Sequence, residues 1–179
     1  SRTPGGLDIA YTKLAVDLQN LGAGNLDACV GESLDAIRQG TGCDAVCVAL
    51  LDDAGAWIRQ VHVACDTFSA ANPQVLEGQP LADWPWLDKH LADLRLLGIP
   101  DTASPQPGQA EDAARLKARN IAALLCAGFE VAGRRAGFIA FCYGQPQAAW
   151  NVDHQLLLKL AGSSLASGLE RMQARASLA

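Results

Sequence analysis

Between residues 66 and 120 the sequence carries prolines at 73, 80, 85, 100, 105 and 107 and no sustained alternation of apolar and polar residues, yet strand-length apolar runs stand on both sides. A stretch this long is seldom filler inside a compact domain; such segments are commonly binding loops or lids. Ahead of it, Asp44-Ala-Val-Cys-Val-Ala-Leu-Leu51 reads as a strand covered on both faces. Asp52-Asp-Ala-Gly55 makes a turn, and Ala56 to Cys65 alternates as the returning strand of a hairpin. Behind it, Ile121 to Val131 and Arg135 to Tyr143 form a second hairpin through the tight Ala132-Gly-Arg134 turn. The middle itself is expected to hold a helix over Trp84 to Leu97 and another over Gln109 to Arg119, the latter ending at Asn120, which tolerates a left-handed backbone.

Helical periodicity is confined to the two ends. Leu7, Tyr11, Leu14, Leu18 and Leu21 follow a 4, 3, 4, 3 spacing, a seam two heptads long. After Gly22-Ala-Gly, Asn25 is placed to cap a second helix with Leu26, Val30, Leu34 and Ile37 on one stripe, stopped by Gly40-Thr-Gly42. The last helix begins at the cap Asn151, with Asp153 in its first turn, and repeats Leu158, Leu165 and Met172 at seven-residue intervals beside Ala161 and Leu169. That stripe is suited to pairing with another helix, or to burial on the domain's own sheet. Helices gathered at the ends of an antiparallel meander predict an α+β sandwich rather than a parallel α/β fold.

Composition narrows the function. The 179 residues are 50% hydrophobic and 18% charged, which suits one well-packed core and excludes disorder. The apolar run from Ile121 ends at Glu130, far short of a bilayer crossing. Fourteen Lys plus Arg against nineteen Asp plus Glu leave a net charge of -5, with the basic residues scattered, so no nucleic-acid partner is expected. The start Ser-Arg-Thr-Pro-Gly-Gly lacks the apolar core of a signal peptide and reads as a trimmed end of a longer, cytoplasmic polypeptide.

Six cysteines spread over a chain of this size read as reduced thiols packed as small hydrophobes rather than as a disulfide framework. No metal site is expected: Cys43 and Cys47 share a strand face about 13 Å apart, His62 and Cys65 point to opposite faces, and His90 and His154 have no neighbouring ligands in sequence. Nucleophile elbows, Walker loops and dinucleotide fingerprints are absent. Cys126 and Cys142 would face each other if the final hairpin had a three-residue loop, and would fall out of register with a two-residue loop.

The order of elements resembles a GAF domain over residues 25 to 172. The likeness rests on the strand Asp44 to Leu51, on Trp84-Pro-Trp86, on Ile99-Pro-Asp101, on the hairpin Phe129-Glu-Val-Ala-Gly-Arg-Arg-Ala-Gly-Phe138, and on the closing helix from Trp150-Asn-Val-Asp-His through Leu169-Glu-Arg171. The resemblance implies a central antiparallel sheet of GAF-like, PAS-related type, with the terminal helices on one side and the irregular middle arched over the other. It implies residues 1–24 as a helical lead-in, 25–172 as the domain, and 173–179 as a connector to an output domain outside this sequence.

It further implies a non-enzymatic sensor of a bacterial signalling protein, such as a histidine kinase or a cyclic-di-GMP enzyme, acting as a homodimer through the terminal helices. Trp84, Trp86 and His90 on the middle helix and Asp101 in the loop beyond it are the candidate pocket residues. Leu124 and Phe138 complete the set, with core packing the plainer role for both. Flat apolar surface with polar tips suits a small planar or amphipathic ligand. No cofactor is expected. The cyclic-nucleotide signature is not found, and Lys89 rather than a cysteine precedes His90, against covalent bilin attachment. The alternatives are a ligand-free dimerisation module, in which the pocket is degenerate, and a thiol-based enzyme related to methionine sulfoxide reductases.

Overall fold

The computed structural model describes residues 12–13, 24–67, 69–93 and 95–178. The seam from Leu7 to Leu21 lies outside them, apart from the segment Thr12–Lys13; Lys13 Nζ meets Glu32 Oε2 at 3.0 Å. Helix α1 (Leu26–Thr41) buries Val30, Leu34 and Ile37, as its stripe predicts. It ends at Gly42, whose left-handed φ of 71° lets its N–H reach the Arg38 carbonyl. Asn25 occupies the N-cap position, but its side chain does not make the capping hydrogen bond expected of it.

Strand β1 (Ala45–Leu51) is buried at all seven positions because β2 (Ile58–Cys65) and β5 (Arg134–Tyr143) flank it and both of its faces are covered. Strands β3 (Leu96–Ile99) and β4 (Ala123–Val131) complete an antiparallel sheet in the order β2-β1-β5-β4-β3. The chain closes with α4 (Val152–Ser177), where the Asn151 side chain accepts hydrogen bonds from the N–H groups of Asp153 and His154, as predicted.

The middle segment departs from expectation in one place. The helix expected over Trp84 to Leu97 is only α2 (Pro85–His90), followed by a 3-10 turn at Leu91–Asp93 and then by the edge strand β3. Proline is favoured at the first helical position, which fixes the start. The residues beyond are drawn into extended form by pairing with Leu124–Ala127 of β4, and a Cβ on Gly98 would lie 3.0 Å from the Trp150 indole nitrogen, so any larger residue would push that ring from its seat. The second expected helix forms as α3 (Ala110–Lys117), with Asn120 at φ 62° beyond it.

The sheet separates two cores. On one face, Val46, Val48, Leu125, Ile139 and Phe141 pack against α1 and against Leu157, Leu158, Ala161, Leu165 and Leu169 of α4. On the other, Ala45, Cys47, Phe138 and Ala140 lie under a roof made by the 3-10 turns at Pro73–Leu76 and Leu81–Asp83 together with α2 and α3. The arched middle is therefore real. The stripe on α4 needs correcting for pairing: Leu158 and Leu165 are spent on the domain's own sheet, and the apolar residues left outside are Val152, Leu156 and Leu160, 76%, 53% and 41% exposed. Among the described residues no helix is long and apolar enough to cross a membrane.

Candidate functional site

Under the roof lies a cavity of about 20 Å³, roughly the space of one water molecule. Phe138, Leu124 and Ile99 of the sheet form its floor, Trp84, Trp86 and Leu87 its ceiling, and Asp112 and Leu116 of α3 a wall. Four of the six candidate residues are thus brought together. His90 and Asp101 stand outside the lining. His90 sits on the outer side of α2, its ring centroid 6.0 Å from that of Trp86 and its Nδ1 3.2 Å from Asp93 Oδ2. Asp101 serves its own loop, accepting the N–H of Ala103 at 2.9 Å.

The two indoles are fixed by different means. Trp84 is buried, donates its ring N–H to Gln79 Oε1 at 3.0 Å, and carries the Arg115 guanidinium 5.9 Å from its ring centre, a cation–π contact. Trp86 is half-buried, at the border between cavity and solvent. Sequence reasoning missed Asp112, whose carboxylate accepts the backbone N–H groups of Trp86 and Leu87, both at 3.0 Å. Helix α2 has no capping side chain at Trp84, so Asp112 supplies the cap from α3. Burial pushes its carboxyl pKa up, against the pull of these hydrogen bonds. The signal was an acid four residues before Leu116 on the buried face of an amphipathic helix.

Arg135 was also missed as a positioning residue. Its guanidinium meets Asp88 Oδ1 at 2.7 Å and donates to the carbonyls of Asp88 and Gly55, each at 3.0 Å, tying α2 to the end of both hairpins. This guanidinium adds to the links that β2 makes with the 3-10 segment, where Glu77 Oε2 accepts the Val61 N–H at 2.8 Å and Ile58 exchanges backbone hydrogen bonds with Gly78 and Gln79.

Cys126 and Cys142 do not face each other across the last hairpin. The last hairpin turns through two residues, Ala132 and Gly133, at φ 52° and 76°, with a bulge at Phe129/Glu130. Cys126 consequently opposes Ala140, and Cys142 opposes Leu124. Cys47, Cys126 and Cys142 are fully buried beneath the roof; burial raises the Cys126 thiol, and a hydrogen bond with Cys47 together with burial raises that of Cys142. Cys43, on the helical side, is pushed up to about 11 by burial. Nucleophilic attack needs the thiolate, which these surroundings disfavour. Among the described residues no group of His, Cys, Asp and Glu is arranged to hold a metal ion.

No protein-family model matches the sequence, and no curated protein does. Solved structures do. The phycocyanobilin-bound GAF domain of a cyanobacterial phytochrome superposes with a TM-score of 0.76 at 15% identity, covering 97% of this chain and 98% of that one. The phycoerythrobilin-bound GAF domain of a cyanobacterial phytochrome gives 0.71 at 14% identity, covering 95% of each chain. A far-red absorbing dark state with bound biliverdin gives 0.70 at 11% identity, covering 94% of this chain and 99% of that one.

These neighbours correct one expectation. The expectation that this chain takes no cofactor does not stand, because the solved structures that share its architecture hold bilins. The residues present set terms for such a group here. The space beneath the closed roof is one water in size, and the chain has no cysteine between Cys65 and Cys126, so a bilin does not fit this arrangement as it stands. Five antiparallel strands with terminal helices on one face and a pinned roof on the other, matched along nearly the whole chain, give this protein the fold of a GAF domain.

Proposed function

We propose that this chain is a non-catalytic sensory domain of a bacterial, cytoplasmic signalling protein, receiving a small flat amphipathic molecule between the roof and the sheet. The observation that carries this reading is the roof itself. An apolar sheet face is covered by a segment that presents two indoles to it; α2 is fastened by Asp112 of α3 and by Arg135 at the rim, while the 3-10 turns ahead of it are tied to β2 through Glu77, Gln74 and backbone hydrogen bonds of Ile58. A guest entering there exchanges contacts with Trp84, Trp86, Leu124 and Phe138, while His90 and Asp101 at the rim come into reach only if the roof moves. Ligand binding would favour a raised roof by its differential affinity for that state, and α4, packed on the opposite face of β4 and β5, is the element through which an output domain such as a histidine kinase or a cyclic-di-GMP enzyme would sense it.

Bilins are the first ligand class to test, since the neighbours carry them; the closed cavity has no room for one, so binding here requires the raised roof and involves no bond to a roof cysteine. The purified chain is incubated with biliverdin and with phycocyanobilin, and the visible spectrum, tryptophan fluorescence and native mass are recorded. Saturable binding with quenching, weakened at least tenfold by Trp86→Ala and released by denaturation, supports the reading. If neither bilin binds and no small molecule co-purifies with freshly expressed protein, it is overturned. A ligand-free dimerisation module is then favoured, the reading to which the water-sized cavity already lends weight.

A further inference from the structure

A larger cavity, of about 130 Å³, lies on the other side of the sheet, where the hairpin ends meet both terminal helices. Its floor is apolar: Leu26 from the first turn of α1, and Leu169 and Met172 from α4. Its rim is charged, with Arg59 of β2, Asp53 of the β1–β2 turn and Arg134 at the start of β5. Two further charged residues at the rim are already engaged. Asp52 accepts the N–H groups of Ala56 and Trp57, and Arg135 holds Asp88 and Gly55. Arg59, Arg134 and Asp53 are exposed and make no hydrogen bond or ion pair with the described residues.

We propose that this cavity is a second ligand site, and that it takes a free α-amino acid with an apolar side chain. The volume of about 130 Å³, open to solvent on the charged side, leaves room for such a side chain against Leu26, Leu169 and Met172. The rim selects the head group. A simple anion would be drawn to the two guanidiniums but would meet Asp53, and a simple cation would meet the reverse. A zwitterion satisfies both signs, its carboxylate on the guanidiniums and its ammonium on Asp53. Because the floor joins the first turn of α1 to the last third of α4, occupancy bridges the two helices and favours the arrangement in which both lie against the hairpin end.

The probe is L-leucine, followed by calorimetry and by backbone amide shifts in the purified chain. The expected result is saturable binding that shifts the amides of residues 26, 169 and 172 and weakens at least tenfold in Arg134→Gln. Two analogues read the head group: 4-methylpentanoate lacks the ammonium and 3-methylbutylamine the carboxylate, and each should bind at least tenfold more weakly than L-leucine. Trp86→Ala, on the opposite face, should leave L-leucine binding unchanged, so failure here and failure of the roof site are told apart. The proposal is overturned if L-leucine does not saturate, if either analogue binds as well, or if the folded double variant Arg59→Gln, Arg134→Gln binds as the parent does.

Discussion

Asp112 shows how much one buried side chain can decide. It is 1% exposed, and it satisfies two N–H groups at the start of a helix that has no cap of its own. Asp112→Ala leaves those donors beneath the roof without a partner, a loss of about 1–3 kcal/mol where water cannot replace the acceptor. Asp112→Asn keeps an acceptor oxygen and should recover much of it. Urea unfolding of the three proteins checks the order, which should run parent, Asn variant, Ala variant. Trp84, Trp86, Leu124 and Phe138 were legible in the sequence because apolar residues flanking a proline and alternating in a strand announce their faces. Asp112 was not, since its partners lie 25 and 26 residues away and only tertiary packing brings them within reach.

His62 carries the other residue-scale prediction. It is 8% exposed beneath α1, with Nδ1 3.3 Å from Asp27 Oδ1, and Glu77 and Arg59 are the other charged groups acting on it. Burial lowers its pKa below the ordinary 6.5, opposed by Asp27 and Glu77. The unfolded chain therefore takes up its proton first on acidification. Stability contributed by this neutral imidazole is present above pH 6.5 and is lost as the pH falls through the lower, folded value. Unfolding free energy should decline between pH 7 and pH 5, and His62→Gln should flatten that decline; His154, also shifted down by burial, accounts for a residual slope. A parent and variant with the same pH slope would show that His62 titrates alike in both states.

At the scale of elements, the roof depends on where its short pieces are fastened rather than on their own propensity. Helix α2 has only six residues, too few to be stable alone, and the adjoining 3-10 turns are shorter still. Its two anchors are Asp112 from α3 and the Arg135 guanidinium at the rim. Removing the second by Arg135→Ala should leave α1, α4 and the sheet intact, while amide exchange of residues 86–93 quickens at least tenfold relative to that of β1. Equal protection of α2 in parent and variant would count against the latch. The same reasoning explains why β3 escaped sequence reading. A four-residue strand with glycine at its centre shows no alternation, and it is extended only because β4 offers a free edge and Trp150 fills the space over Gly98.

For the whole molecule, two layers of unequal character lie on one sheet, and the sequence announced both: continuous apolar runs for a sheet covered on two faces, helical stripes at the ends, and prolines in the piece that became the roof. The volume left under the roof was not legible, because it depends on how indole and leucine side chains settle over Phe138 to within fractions of an ångström. Association of two copies is the remaining question at this scale, and the structure moves it to new residues. Leu158 and Leu165 are core, whereas Val152, Leu156 and Leu160 form an exposed apolar row along α4 at four-residue spacing. If the chain works as a homodimer through its helices, Leu156→Asp with Leu160→Asp should give a monomer in sedimentation with the melting temperature of the isolated domain little changed, since both positions already face water. Leu158→Asp should instead unfold the chain, because a carboxylate there would be buried with no partner against the sheet. A double variant that remains dimeric would place the contact off this row of α4 and remove the helix on which the proposed relay depends.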